Sequence, residues 1–203
     1  TQHSLQRLAC LGHIAEFQLL ATAMEVPKPQ LRTLMWEAIR QGLIERSDGA
    51  YRFVHDRIHE AAYLSIPEET RAHMHLRIGR LLSAQLPCVE EAIFDVVGQL
   101  NRGIALLTEQ CDREQLAEYN LIAGQRAKAS SAYVSALNYL TTGAMLLSED
   151  CGTKRNDLSF ALELNRAECE FLTGELIVAD ERLTALAKCA MTVIDRANVA
   201  CLH

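Results

Sequence analysis

A mainly α fold with one small β-hairpin is what this 203-residue sequence predicts, and three observations carry the prediction. Leu and Ala are frequent in a composition with only four Pro, ten Gly and 5% aromatic residues. Straight-chain and small side chains of this kind lose little rotamer freedom in a helix. Apolar residues recur at helical spacing along most of the chain. The exception is a stretch after Gly42, where apolar and polar residues alternate around Asp48-Gly49, the strongest local hairpin signal.

Taken in order, Ser4 is placed to cap a first helix carrying Leu5, Leu8 and Leu11, and Pro27 separates a second helix at Glu16 to Met24 from a third. In the third helix Leu31, Leu34, Met35, Ala38 and Ile39 fall at i, i+3, i+4, i+7 and i+8, a stripe suited to packing on the other two. Gly42 ends it in the left-handed position glycine favours. Leu43 to Arg46 and Tyr51 to Val54 then form two short strands around the turn, and a helix follows from His55. Three helices followed by such a ribbon form a winged helix, here assigned to residues 1–64. The hairpin must lean on the helices, because an isolated ribbon is marginal.

Residues 65–203 read as helical throughout, with breaks near Pro87, Gly103, Ser130-Ser131, Gly152 and Gly174. Leu121, Gly124, Ala136, Leu140 and Ala144 recur as Leu164, Ala167, Ala179, Leu183 and Ala187, each displaced by 43 residues. This spacing predicts an α-solenoid of helical hairpins similar to tetratricopeptide repeats, in which each pair buries its apolar face on a neighbour. The repeat exceeds the usual length by about nine residues, which the segment 149–157 would absorb. Ordinary antiparallel helices of a bundle are the other reading of the same pattern.

Composition narrows the function. Seven cysteines stand singly, with no Cys-x-x-Cys pair to begin a zinc or redox site. They read as reduced thiols of a cytoplasmic protein. No signal peptide and no membrane-length apolar run is present. Thr1 is not an initiator Met, and the sequence stops inside a helical run, so a fragment of a longer protein is expected. Residues 1–63 hold seven basic and seven acidic side chains, and the remainder thirteen against nineteen. That lacks the basic footprint nucleic acid calls for. A DNA-binding regulator with a repeat-based sensor region is the alternative function this charge balance disfavours.

Candidate chemistry concentrates at His55, Asp56, His59 and Glu60. His55 and His59 share a helical face, as two metal-binding histidines would, but Asp56 stands where the zincin motif requires Glu, and no third ligand follows. A histidine-kinase phosphoacceptor box fails because Ile58-His59-Glu60 replaces its Thr-Pro-Leu. His73 and His75, two apart, point away from each other on a helix. No phosphate-cradling Gly-x-x-x-x-Gly-Lys-Ser/Thr loop occurs, so the segment holds no ATP of its own. From the residues alone His55 is a helix cap; no catalytic residue and no metal ligand set is assigned.

Phe53-Val-His-Asp-Arg-Ile-His-Glu-Ala-Ala-Tyr63, with Ile66 to Glu69, His75 to Leu82, Phe94 to Gly103 and Ala123 to Tyr133, resembles the region after the ATPase module of large bacterial signalling proteins. Those proteins join a serine/threonine-kinase-like region, a STAND-class AAA-type ATPase, helical repeats, and sensory and histidine-kinase modules. The resemblance implies a non-catalytic regulatory segment of a two-component signal-transduction kinase, with ATP or ADP bound by an upstream domain. It implies His55 as a contact to the β-phosphate of ADP and Asp56 as its positioning neighbour. The implied partners are the upstream nucleotide-binding domain, the downstream kinase modules and a protein on the repeat surface.

Overall fold

A computed structural model describes residues 2–85, 92–147, 153–190 and 192–202, without the side chains of 85 and 153–156. It is mainly helical with one small sheet. Two compact units divide the chain, residues 1–106 and 107–203.

The first unit opens with α1 (Gln2–Leu11), β1 (Ile14–Glu16), α2 (Phe17–Met24), α3 (Lys28–Arg40), β2 (Ile44–Ser47) and β3 (Ala50–Phe53). Ser4 lies inside α1 and is buried, so it is not the cap expected of it. It shares a face with Leu8 one turn on, and the demand of that face for a small residue outweighs the capping preference. The sheet has three strands in the order β1-β3-β2, both pairings antiparallel. β1 is a correction to the two-stranded ribbon: Ala15 pairs with Tyr51 and covers the otherwise free edge of β3. Three residues are too few to announce a strand by periodicity.

Tyr51 and Phe53 point into the core while Arg52 faces solvent, the alternation of a half-buried strand. Arg52 pairs across the ribbon with Glu45, its register partner. Asp48 and Gly49 both have positive φ, 46° and 84°, as a tight hairpin turn requires. Gly42 has φ 68°. Its amide bonds to Ile39 and that of Leu43 to Ala38, which closes α3 with a Schellman motif. Leu8, Leu20, Leu31, Met35, Ile44, Tyr51 and Phe53 form one core between helices and sheet.

α4 (Asp56–Leu64), α5 (Glu68–Gln85), α6 (Ile93–Arg102) and a 3-10 turn at Ile104–Leu106 complete this unit. It therefore runs past the boundary at 64/65 read from the sequence. The physical reason is specific: Arg77 of α5 pairs with Glu25 after α2, and Gln99 of α6 donates to the Cys10 carbonyl of α1 at 2.8 Å. α5 and α6 approach closely, since a Cβ on Gly79 would meet Leu100 Cδ2 at 2.6 Å. The break expected near Pro87 lies outside the described residues.

The second unit holds α7 (Gln110–Ala129), α8 (Tyr133–Leu146), α9 (Thr153–Leu172), α10 (Leu176–Cys189) and α11 (Val193–Leu202). Both bounds of α7 and of α8 reappear in α9 and α10 after 43 residues. The turns match as well. Ser131 and Gly174 both take positive φ, 60° and 89°, and the next residues, Ala132 and Glu175, have φ/ψ of −87°/60° and −82°/56°. The Ala132 amide bonds to Ala127 and the Glu175 amide to Glu170, again one repeat apart. Gly124 lets α7 and α8 cross closely, its missing Cβ lying 2.6 Å from Leu140 Cδ2. Lys128 bridges from α7 to Asn165 and Glu168 of α9 at 2.7 and 2.6 Å, so successive pairs are joined. α9 begins at Thr153, within the segment 149–157 expected as loop; the break near Gly152 lies outside the described residues.

Candidate functional site

The segment singled out by the sequence sits where β3 hands over to α4. Phe53 ends the strand with its amide on the His13 carbonyl, and the Val54 amide returns to Leu43. His55 is extended, φ −142° and ψ 145°, in the N-cap position. Its carbonyl accepts the amides of Ile58 and His59 at 3.0 and 3.3 Å, which starts the helix. Its imidazole makes no capping hydrogen bond and is exposed. His55 thus caps by backbone alone, and its ring makes no hydrogen bond among the described residues.

Asp56 opens α4, where a carboxylate complements the positive end of the helix dipole. Its side chain is 98% exposed, with Oδ1 3.2 Å from Nδ1 of His13. That approach becomes an ion pair when His13 is protonated. The alignment is poor for a hydrogen bond, and His13 Nδ1 otherwise has no partner among the described residues. His13 lies on the turn between α1 and β1, so the structure adds it to the pair named from sequence. Nothing in the linear spacing links residues 13 and 56.

His59 does not join His55. Its Nε2 lies 3.1 Å from the Ala9 carbonyl, which requires Nε2 to carry the proton and donate. The ring stacks obliquely on Phe53 and edge-on to His13, with centroids at 5.3 and 6.1 Å. His59 is therefore a structural clamp between α4 and α1. Glu60 is exposed on the outer face. Among the described residues no three His, Cys, Asp or Glu side chains converge as metal ligands.

Behind this surface lies a buried hydrogen-bond chain that sequence reasoning missed. Gln99 donates its amide nitrogen to the Cys10 carbonyl, so its oxygen faces His75 Nδ1 at 2.7 Å as acceptor. His75 is thereby the Nδ1-protonated tautomer. Its bare Nε2 accepts from the Tyr63 hydroxyl at 3.0 Å. Burial holds the His75 imidazole below its ordinary value, the Gln99 bond opposes this, and Arg102 adds to it. The neutral ring is the form the chain needs. Burial also pushes the Cys10 thiol up to about 11, so it stays protonated. These contacts link α4 to α5, α5 to α6 and α6 to α1. His73 is exposed and His75 buried, on opposite sides of α5.

With this geometry in view, the similarity to known proteins is limited but directional. Over 159 residues the chain is 27% identical to hybrid signal transduction histidine kinase G of Dictyostelium discoideum, covering 66% of this chain and 5% of that protein. The chain thus spans a small fraction of the relative's length. No protein-family profile matches it, and no solved structure matches it. No helix among the described residues is long and apolar enough to cross a membrane.

Proposed function

We propose that this chain is the regulatory and protein-interaction segment of a larger ATP-dependent signal-transduction protein. In it a winged helix beginning at residue 1 reports the nucleotide state of a preceding STAND-type ATPase domain, and TPR-like hairpins after it dock partners or downstream kinase modules. The reading rests on similarity to a protein named as a hybrid histidine kinase. It is favoured by three helices packed on an antiparallel ribbon and by two helix pairs repeating at 43 residues.

The single observation that carries it is the exposed imidazole of His55 at the start of α4, without a hydrogen-bond partner among the described residues. A ring at that position, beside helix amides without intrahelical acceptors, can bind a phosphate oxygen of a ligand held by another domain. Loss of that bond on nucleotide exchange would release α4 and the elements clamped behind it. His55→Ala in the full-length protein tests this: ADP retention falls and basal output rises. Unchanged ADP affinity and output would remove the sensor role.

A further inference from the structure

We infer that the outer face of α3 is a docking surface for an acidic protein segment with an apolar anchor, centred on Trp36 and flanked by Lys28 and Arg32. α3 turns Leu31, Met35 and Ala38 into the core. The same helix exposes Lys28, Arg32, Trp36 and Arg40, four residues apart along a stripe that winds from the flank of the core face at Lys28 to the side opposite it at Trp36 and Arg40. Trp36 is the only tryptophan in the chain and is 64% exposed. Trp and Arg are enriched among the few residues that dominate the binding energy of protein interfaces.

Charge selects the occupant. Arg40 is held by both carboxylate oxygens of Glu37, at 2.9 and 2.8 Å, and its charge is locally answered. Lys28 and Arg32 form no ion pair among the described residues. Arg46 of β2 lies over the Phe17 ring at 4.8 Å. The first turn of α3 contains no acid, and its dipole adds positive potential there. A surface with an apolar centre and unanswered cations at its edge complements a carboxylate-rich partner. Duplex DNA fits less well, because stable binding draws on roughly six to ten phosphate contacts and this face offers few free cations.

Trp36 is its own reporter. The 203-residue chain would be titrated with a 16-residue amphipathic peptide bearing Glu along one flank and Leu along the other, with the same peptide carrying Lys for Glu, and with a 16-base-pair duplex. The proposal expects the Glu peptide to shift Trp36 emission to the blue saturably, at least tenfold more tightly than the Lys peptide. Arg32→Glu should weaken the Glu peptide about tenfold while leaving the circular dichroism spectrum unchanged. A Lys28→Glu variant reads the same effect if Arg32→Glu lowers helicity. No emission shift with the Glu peptide, equal binding of both peptides, or tighter binding of the duplex would overturn it, the last result assigning the face to nucleic acid.

Discussion

Replacing Gln99 by Leu should reveal how strongly the buried chain behind His55 holds the first unit together. The amide makes two bonds at once, to His75 at 2.7 Å and to the Cys10 carbonyl at 2.8 Å. Gln99 is 4% exposed and His75 1% exposed, so water cannot take the lost place. A buried polar group left unpaired costs about 1–3 kcal/mol. Two such groups set an upper bound of about 6 kcal/mol, but Arg102 Nη1 already stands 3.5 Å from the Cys10 carbonyl and can compensate there. Leu also adds apolar contact. The expected loss is therefore about 2–4 kcal/mol. Urea denaturation of the 203-residue chain, followed by circular dichroism and Trp36 emission together, measures it. Gln18→Leu, at an exposed position of α2, is the control and should stay within about 0.5 kcal/mol. If Gln99→Leu costs no more than Gln18→Leu, the hydrogen-bond chain is not holding α5 and α6 on α1.

The same chain sets a pH dependence. Since His75 titrates below its ordinary value of 6.5 when folded, the unfolded state takes up that proton first as pH falls. Its contribution is complete above pH 6.5 and is lost as pH falls towards the folded value. Melting temperature measured from pH 8 to 5 should decline on the acid side, and His75→Gln should flatten that decline. In α6, Gly98 has open space where a Cβ would go, whereas a Cβ on Gly103 would lie 2.7 Å from Leu76 Cβ and 3.1 Å from the Ala72 carbonyl. Gly98→Ala should gain about 0.5–1 kcal/mol and Gly103→Ala lose about 1–3 kcal/mol in urea melts. At the matched turns, Ser131→Gly should stabilise and Gly174→Ser destabilise by about 0.5–1 kcal/mol, because both positions have left-handed backbone. Thermal melts of the two exchanges should shift in opposite directions.

Periodic and turn-bound features were readable from the sequence. The stripe from Leu31 to Ile39, Gly42, and Asp48-Gly49 each state a local backbone requirement, and α3 and the ribbon follow. The 43-residue displacement was visible because close helix crossings admit only small residues, and the same Gly/Ala and Leu positions recur. Ser4 misled because burial decided its place. β1 escaped because three residues pair only once β3 offers an edge. His13 beside Asp56, and the Gln99 bonds to His75 and to the Cys10 carbonyl, escaped for the same reason: tertiary packing brings these residues together. Gln99 in particular looks like an ordinary polar helix residue until its two bonds are seen.

The most direct test of the account is the rate at which ADP leaves the full-length protein, compared between wild type and His55→Ala. A hydrogen bond to a charged phosphate is worth about 1.5–3 kcal/mol, so ADP should leave roughly 10- to 100-fold faster from the variant. Equal rates would contradict the claim that His55 reads a nucleotide held by a neighbouring domain.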